Sequence, residues 1–159
     1  VYALNMAGIK GKKNFRDRTF IYAISTAISG IAALSLKSIT KVERPDGSAN
    51  NSFPSGHTTT AFAAASFLQH EYKNVSPWYG IAGYAVATGV GVLRLYNNKH
   101  WVGDVVAGAG LGILSTQLAY TIYPLIKKKL FTNKSSQTVL IPYYQQHTGS
   151  ISMLYQFGK

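Results

Sequence analysis

Eighteen consecutive residues, TFIYAISTAISGIAALSL (Thr19–Leu36), carry no charge. A run of that length without strict polar–apolar alternation is too long for a strand and reads as a helix. Further helices are predicted over about His57–Tyr72, Trp78–Leu95 and Trp101–Ile126, the last ending in KKK (Lys127–Lys129). NVSP (Asn74–Pro77) and YNNKH (Tyr96–His100) break them, and a turn-rich loop, KSITKVERPDGSANNSFPSG (Lys37–Gly56), separates the first from the second. The pattern predicts an all-α fold: a bundle of four main apolar helices within residues 1–130. A tail over residues 131–159 follows. In it TVLIPYYQQ and SISMLYQF flank HTGS and can pair as a weak β-hairpin.

Charge then constrains orientation. Sixteen Lys and Arg stand against 5 Asp and Glu, a net +11, which calls for an anionic partner: phosphate, a membrane surface or nucleic acid. Up-and-down helices bring the Lys37–Gly56 loop and the Tyr96–His100 break to one end. The basic residues of Lys10–Arg18, Lys73 and Lys127–Lys129 gather at the other. Basic residues mark the cytoplasmic side of a membrane protein, so the polar loops are expected on the outer face of a bacterial inner membrane, toward the periplasm. The uncharged runs, about 17–18 residues, are at the short limit for spanning. A mean hydropathy of +0.04 keeps a soluble periplasmic bundle as the alternative. Cysteine is absent, which excludes disulfides and thiolate metal sites. The chain opens on Val1 with no signal-peptide pattern and reads as lacking an N-terminal portion.

Three polar clusters carry the chemistry. The first holds Lys37 and, after six residues, Arg44-Pro45. The second is Pro54-Ser55-Gly56-His57, at the start of a helix. The third runs from Arg94 through His100 to Asp104. A Pro-Ser-Gly helix start leaves backbone N–H groups free for an anion, although Ser55 or Thr58 could simply cap the helix. Lys37 and Arg44 are phosphate-binding types, or two solvated loop cations. His100 and Asp104, four apart, share a face if both are helical. The carboxylate would then fix the imidazole tautomer, or serve only to pair with Arg94. Singly, each cluster has an ordinary structural explanation. Together, three cations, a helix N-terminus and two histidines at one end of a bundle specify a phosphate pocket. The carboxylates are too few for magnesium or calcium, and no metal is expected.

In this order and spacing, K-x6-RP, PSGH and R-x5-H-x3-D resemble the three-part signature of the type 2 phosphatidic acid phosphatase superfamily, which includes membrane lipid phosphatases, soluble bacterial acid phosphatases and vanadium haloperoxidases. The resemblance covers Lys37–Asp104 and extends through HWVGDVVAG (His100–Gly108). It implies that His100 attacks phosphorus to form a phosphohistidine and that Asp104 orients it. It implies that His57 protonates the leaving alkoxide and then activates water. Lys37, Arg44, Ser55, Gly56 and Arg94 would hold the phosphate. No cofactor is implied, and vanadate is expected to inhibit as a transition-state mimic. The family places serine directly before the third-motif arginine; here Leu93 stands there, which implies weaker or altered phosphate binding.

The resulting expectation is a metal-independent phosphatase acting on phosphate monoesters, with a phosphorylated lipid as substrate. Phosphatidic acid, phosphatidylglycerol phosphate, undecaprenyl pyrophosphate and a lipopolysaccharide lipid phosphate are the candidates. A soluble acid phosphatase on small phosphate esters is the second reading, and a vanadate-dependent haloperoxidase the third. A non-enzymatic basic anion- or membrane-binding protein is the fourth; nucleic acid is not expected as a partner. His70 and His147 are expected to be solvated. Tyr96 and Trp101 are expected as packing or interfacial residues rather than an entrance. Gly108, Gly110 and Gly112 are expected to permit close helix packing.

Overall fold

The computed structural model describes residues 1–131, 137–145 and 148–156. A short helix α1 (Tyr2–Met6) precedes four long ones: α2 (Phe15–Thr40), α3 (Gly56–Tyr72), α4 (Trp78–Tyr96) and α5 (Val102–Phe131). Strands β1 (Gln137–Gln145) and β2 (Thr148–Gln156) pair antiparallel. The fold is therefore all-α with a short hairpin in the tail. The chain divides into two compact units, Val1–Tyr123 and Pro124–Lys159. His147 lies outside the described residues.

Helix α2 starts four residues before the expected Thr19 and takes in part of the basic run. The reason is that its charges find partners. Arg18 is buried and its guanidinium donates to Asn5 Oδ1 at 2.8 Å. Tyr123 donates to Asp17 Oδ1 at 2.6 Å. Asp17 of α2 and Glu71 of α3 are buried as well.

Helix α3 is the central element. Its contacts with α5 are made through glycine. A Cβ on Gly112 would lie 2.3 Å from Thr59 O, and one on Gly108 2.7 Å from Ser55 O, so any side chain there would drive the helices apart. Gly110, by contrast, faces open space and does not serve packing. Thr116 Oγ1 of α5 donates to Ala63 O at 3.1 Å and lies 2.9 Å from Ser25 Oγ of α2. Those bonds satisfy polar groups that burial would otherwise penalise. Below them Ile21, Phe67, Ala119 and Tyr123 form the apolar core.

Helices α2 and α5 are long and apolar enough to cross a membrane, and only 22% and 28% of their apolar windows is buried. A core helix of a water-soluble protein would be mostly covered. Here Ile31, Leu34, Val106, Leu114 and Leu118 are exposed. Uncovered apolar faces on helices of this length fit a lipid environment.

Candidate active site

Two loops build the site, and they are fastened to each other. Residues 41–55 follow α2, which ends on Lys41 in the left-handed region with its N–H on Lys37 O. The loop turns back through Gly47, whose N–H donates to Arg44 O at 2.9 Å, and Ser52 N–H closes onto Val42 O at 2.9 Å. Residues 97–101 link α4 to α5. Across the gap Lys99 pairs with Asp46, Trp101 Nε1–H donates to Glu43 O at 2.9 Å, and Ser55 N–H donates to Asp104 O at 3.0 Å. Asp46 is held well below the usual carboxylate range, chiefly by the hydrogen bond from Lys99 and then by those from Ser48.

His100 is not in α5, as its i, i+4 spacing to Asp104 suggests, but in the link before it; Asp104 lies in the first turn. They meet all the same. His100 Nδ1 is 3.5 Å from Asp104 Oδ2, and both side chains are buried. Asp104 Oδ2 also accepts from Trp101 N–H at 2.9 Å and from Ser52 Oγ. Ser52 Oγ is 3.4 Å from His100 Nδ1 as well. With Nδ1 engaged on that side, Nε2 is the nitrogen left for chemistry.

A cavity of about 660 Å³ is lined by His57, His100, Lys37, Arg44 and Gly56, with small and apolar residues beyond. Both predicted histidines and two of the three predicted cations thus share one space. Ser55, the N-cap of α3, makes no capping hydrogen bond with its side chain; its Oγ accepts from Thr58 Oγ1 at 2.9 Å and is buried. A Cβ at Gly56 would meet nothing within 4 Å, so the helix start opens directly to the cavity. A helix N-terminus of this kind attracts anions through its unpaired N–H groups and dipole.

None of the three site cations has a carboxylate within ion-pair distance among the described residues. Lys37 Nζ rests on Asn51 O at 2.5 Å, and Arg44 Nε donates to Asn51 Oδ1 at 3.0 Å. Arg94 Nε is buried with no hydrogen-bond partner. Their field is felt at the imidazoles. Loss of solvent, then Arg94, Arg44 and Lys37, push His57 below its ordinary value. Burial, then Lys37, lower His100, with Asp104 acting the other way. A buried donor without an acceptor beside unneutralised cations is the electrostatic complement of an anion.

Leu93 is 56% exposed and does not line the cavity. Tyr96 is 83% exposed and also outside the lining, while Trp101 fastens the two loops through its indole N–H. His70 is not simply solvated: it is half-buried, stacks on Tyr120 at 4.5 Å and has Nδ1 2.9 Å from Ser66 O. Ser52 and the Trp101 N–H carry no signal in the sequence. Ser52 stands two residues before the PSGH proline, and no spacing rule ties it to an aspartate 52 residues later.

The family model of the PAP2 superfamily matches residues 18–128. The lipid A 1-phosphatase of Porphyromonas gingivalis is 55% identical over 83 residues, 52% of this chain and 19% of that protein. The bacitracin transport permease protein BcrC of Bacillus licheniformis is 35% identical over 75 residues, 47% of this chain and 35% of that protein. The chain therefore spans well under half the length of either relative. The crystal structure of Aquifex aeolicus LpxE has the same fold, with a TM-score of 0.62 at 23% identity, covering 67% of this chain and 69% of that one. With the family match running from Arg18 through all three polar clusters to Lys128, the chain belongs to the PAP2 superfamily.

Proposed function

We propose that this protein is a membrane phosphatase that hydrolyses the phosphate monoester of a lipid, through a phosphohistidine and without a metal. The supporting observation is that His57 and His100 share one cavity with cations that no carboxylate neutralises. The relative from Porphyromonas gingivalis is named a lipid A 1-phosphatase, and a phosphorylated glycolipid is the first substrate to try. The apolar faces of α2 and α5 support a substrate met within the bilayer. Positive charge along Lys10–Arg18 favours that end on the cytoplasmic side, with the site facing the periplasm.

In this mechanism the phosphate docks on Lys37, Arg44, Arg94 and the Gly56 N–H. The lone pair of His100 Nε2 attacks phosphorus in line. The P–O bond to the lipid breaks, and His57 gives the leaving oxygen its proton. Positive charge now on His100 is shared with Asp104 through Nδ1–H. Neutral His57 then takes a proton from water as that water attacks phosphorus. The P–N bond breaks, inorganic phosphate leaves, and both imidazoles are restored. The cations act most strongly on the extra charge of the five-coordinate transition state.

The test is release of inorganic phosphate from a lipid phosphate by detergent-solubilised protein, with orthovanadate and His100→Ala as controls. Turnover should be blocked by vanadate and fall by about four orders of magnitude in the variant. Turnover that survives in His100→Ala, or is indifferent to millimolar vanadate, would remove the proposal.

A further inference from the structure

The basic run at the start of α2 encloses a space of its own. Lys10, Lys12, Lys13, Asn14, Phe15 and Arg18 wall a cavity of about 250 Å³, far from the candidate site. Among the described residues no acid and no histidine lines it. The backbone of this run is pinned to α3. Lys12 N–H donates to Glu71 O at 2.9 Å, and Lys13 N–H to Glu71 Oε2 at 2.9 Å. Gly11 lies so close that a Cβ on it would stand 3.0 Å from Glu71 Oε2 and 3.1 Å from Arg18 Nη1. Three lysines are thereby held around one space, and none has a carboxylate within ion-pair distance among the described residues. Arg18 forms the floor. It is 2% exposed, and its Nε–H has no hydrogen-bond partner, with Glu71 Oε2 at 3.9 Å. Asn14 is the N-cap of α2 and makes no capping hydrogen bond with its side chain. A buried donor without an acceptor, beside gathered cations at a helix start, calls for an anion.

Position decides which anion. Arg18 and Lys37 stand about 28 Å apart along α2, close to the hydrocarbon thickness of a bilayer. The cavity is thus no part of the space around Lys37, and in a membrane it lies among the headgroups of the other leaflet. Phe15, one of its walls, is 61% exposed, and the Arg16 guanidinium stands 6.0 Å from the Phe20 ring centre. Apolar rings among cations at the end of a spanning helix fit the boundary between lipid and water. A soluble phosphate leaves the Phe15 ring bare, whereas a lipid covers it. We propose that this cavity binds the phosphate of an anionic phospholipid from the leaflet opposite the candidate site, with Lys10, Lys12 and Lys13 on the phosphate oxygens and the glycerol against Phe15. The bound lipid fixes the depth of α2 in the bilayer. Such a site requires a membrane but no phosphatase chemistry, and its absence would leave the reading of the other end untouched.

The experiment is native mass spectrometry of the full protein released from detergent micelles that contain dioleoyl phosphatidylglycerol or dioleoyl phosphatidylcholine. The wild type should hold phosphatidylglycerol at least tenfold more tightly. Lys10→Gln, Lys12→Gln and Lys13→Gln combined should weaken that binding by about a hundredfold, or about fivefold for each lysine. Asn14→Phe fills the cavity without altering charge and should cost about tenfold. Lys73→Gln removes an exposed lysine that does not line the cavity, and Arg44→Gln a cation of the candidate site; both should bind as the wild type does. Unfolding midpoints in detergent show that each variant is folded. Full binding in Asn14→Phe, with Lys73→Gln as damaging as Lys10→Gln alone, would mean diffuse attraction to charge and overturn the proposal. A loss confined to Arg44→Gln would put the lipid at the candidate site and overturn it equally. Glycerol 3-phosphate bound as tightly as phosphatidylglycerol would overturn the lipid in favour of a soluble phosphate.

Discussion

At the end of α3 remote from the candidate site, Arg18 and Glu71 are as buried as His100 and Asp104 are at the other. The remote group pairs acid with base. Glu71 Oε2 stands 3.9 Å from Arg18 Nε and accepts from Lys13 N–H at 2.9 Å. Glu71 Oε1 accepts from Tyr120 at 2.6 Å, and the Arg18 guanidinium reaches Asn5 and Tyr72. Acid and base there answer each other, although Arg18 Nε, like Arg94 Nε, is buried without a hydrogen-bond partner. At the site end the only buried carboxylate among the described residues, Asp104, is spent on His100, Ser52 and the Trp101 N–H. Lys37, Arg44 and Arg94 are left with carbonyls, an amide or nothing. Burial and charge alone would rank the two ends alike. A carboxylate at 3.9 Å from the buried arginine distinguishes the structural clasp from the site, whose three cations have none within ion-pair distance among the described residues.

The comparison is broken most severely at Asp104. Asp104→Asn keeps the shape but not the charge that, in the proposed mechanism, stabilises a phosphorylated, positively charged His100. We expect kcat to fall by about a thousandfold with KM little changed. Steady-state kinetics on one lipid phosphate decides it; a rise in KM at constant kcat would move Asp104 out of the reacting machinery.

Much of the fold and of the site is legible in the amino-acid sequence. Alanine- and apolar-rich runs bounded by turn formers locate α3 and α4 within a residue, because their charged residues, Glu71 and Arg94, fall only in the last turn. Helix α2 begins earlier and runs on to Thr40, so that Lys37, expected in the loop, is helical, and α5 ends later than the sequence predicts, since charged residues at those ends read as stop signals. Arg18 is helical because Asn5, Tyr72 and Glu71 receive it, and no local pattern reveals that. The site histidines, Asp104 and the cations are readable from spacing. Ser52 is not, because its partner is brought close only by the folding of a second loop. His70 and Glu71 depart from the expected solvated end for the same reason: partners on α2 and α5 convert apparently solvated groups into covered ones.

Glu71→Gln sharpens the contrast from the other end. It removes the acid that answers Arg18 and leaves a buried cation with only neutral acceptors. The expected cost is about 3 kcal/mol of stability, seen as an earlier unfolding midpoint in detergent. The site should not notice, and kcat per folded molecule should stay within about twofold. A large fall in kcat at full folding would show that the two ends are coupled.

Ser52→Ala is a smaller change at the site itself. It deletes one of three donors to Asp104 Oδ2 and leaves the Trp101 N–H and His100 in place. The carboxylate loses its anchor to the 41–55 loop and can rotate. We expect kcat to fall by about tenfold, the value of one hydrogen bond to a charged group. KM should hold, because Ser52 does not line the cavity. A matching loss in KM would mean that the loop, rather than the aspartate, had shifted.

The smallest expected effect is on pH dependence, and it tests whether the unneutralised cations act at a distance. In the proposed mechanism His100 must be neutral to attack, so its protonation sets the acid limb of kcat/KM. Burial first, and then Lys37, hold it below its ordinary value, so that limb should lie below about pH 6.5. In the same proposed mechanism His57 must carry a proton to assist the leaving group, and it too is lowered, by loss of solvent and then Arg94, Arg44 and Lys37. The alkaline limb of the free enzyme therefore begins early, and the optimum falls on the acid side of neutrality. Lys37→Met removes a positive charge that lowers both groups, so both limbs should move to higher pH while the maximum rate drops. A drop in rate with the limbs fixed would mean that Lys37 touches phosphate but does not set the field in which the two imidazoles titrate.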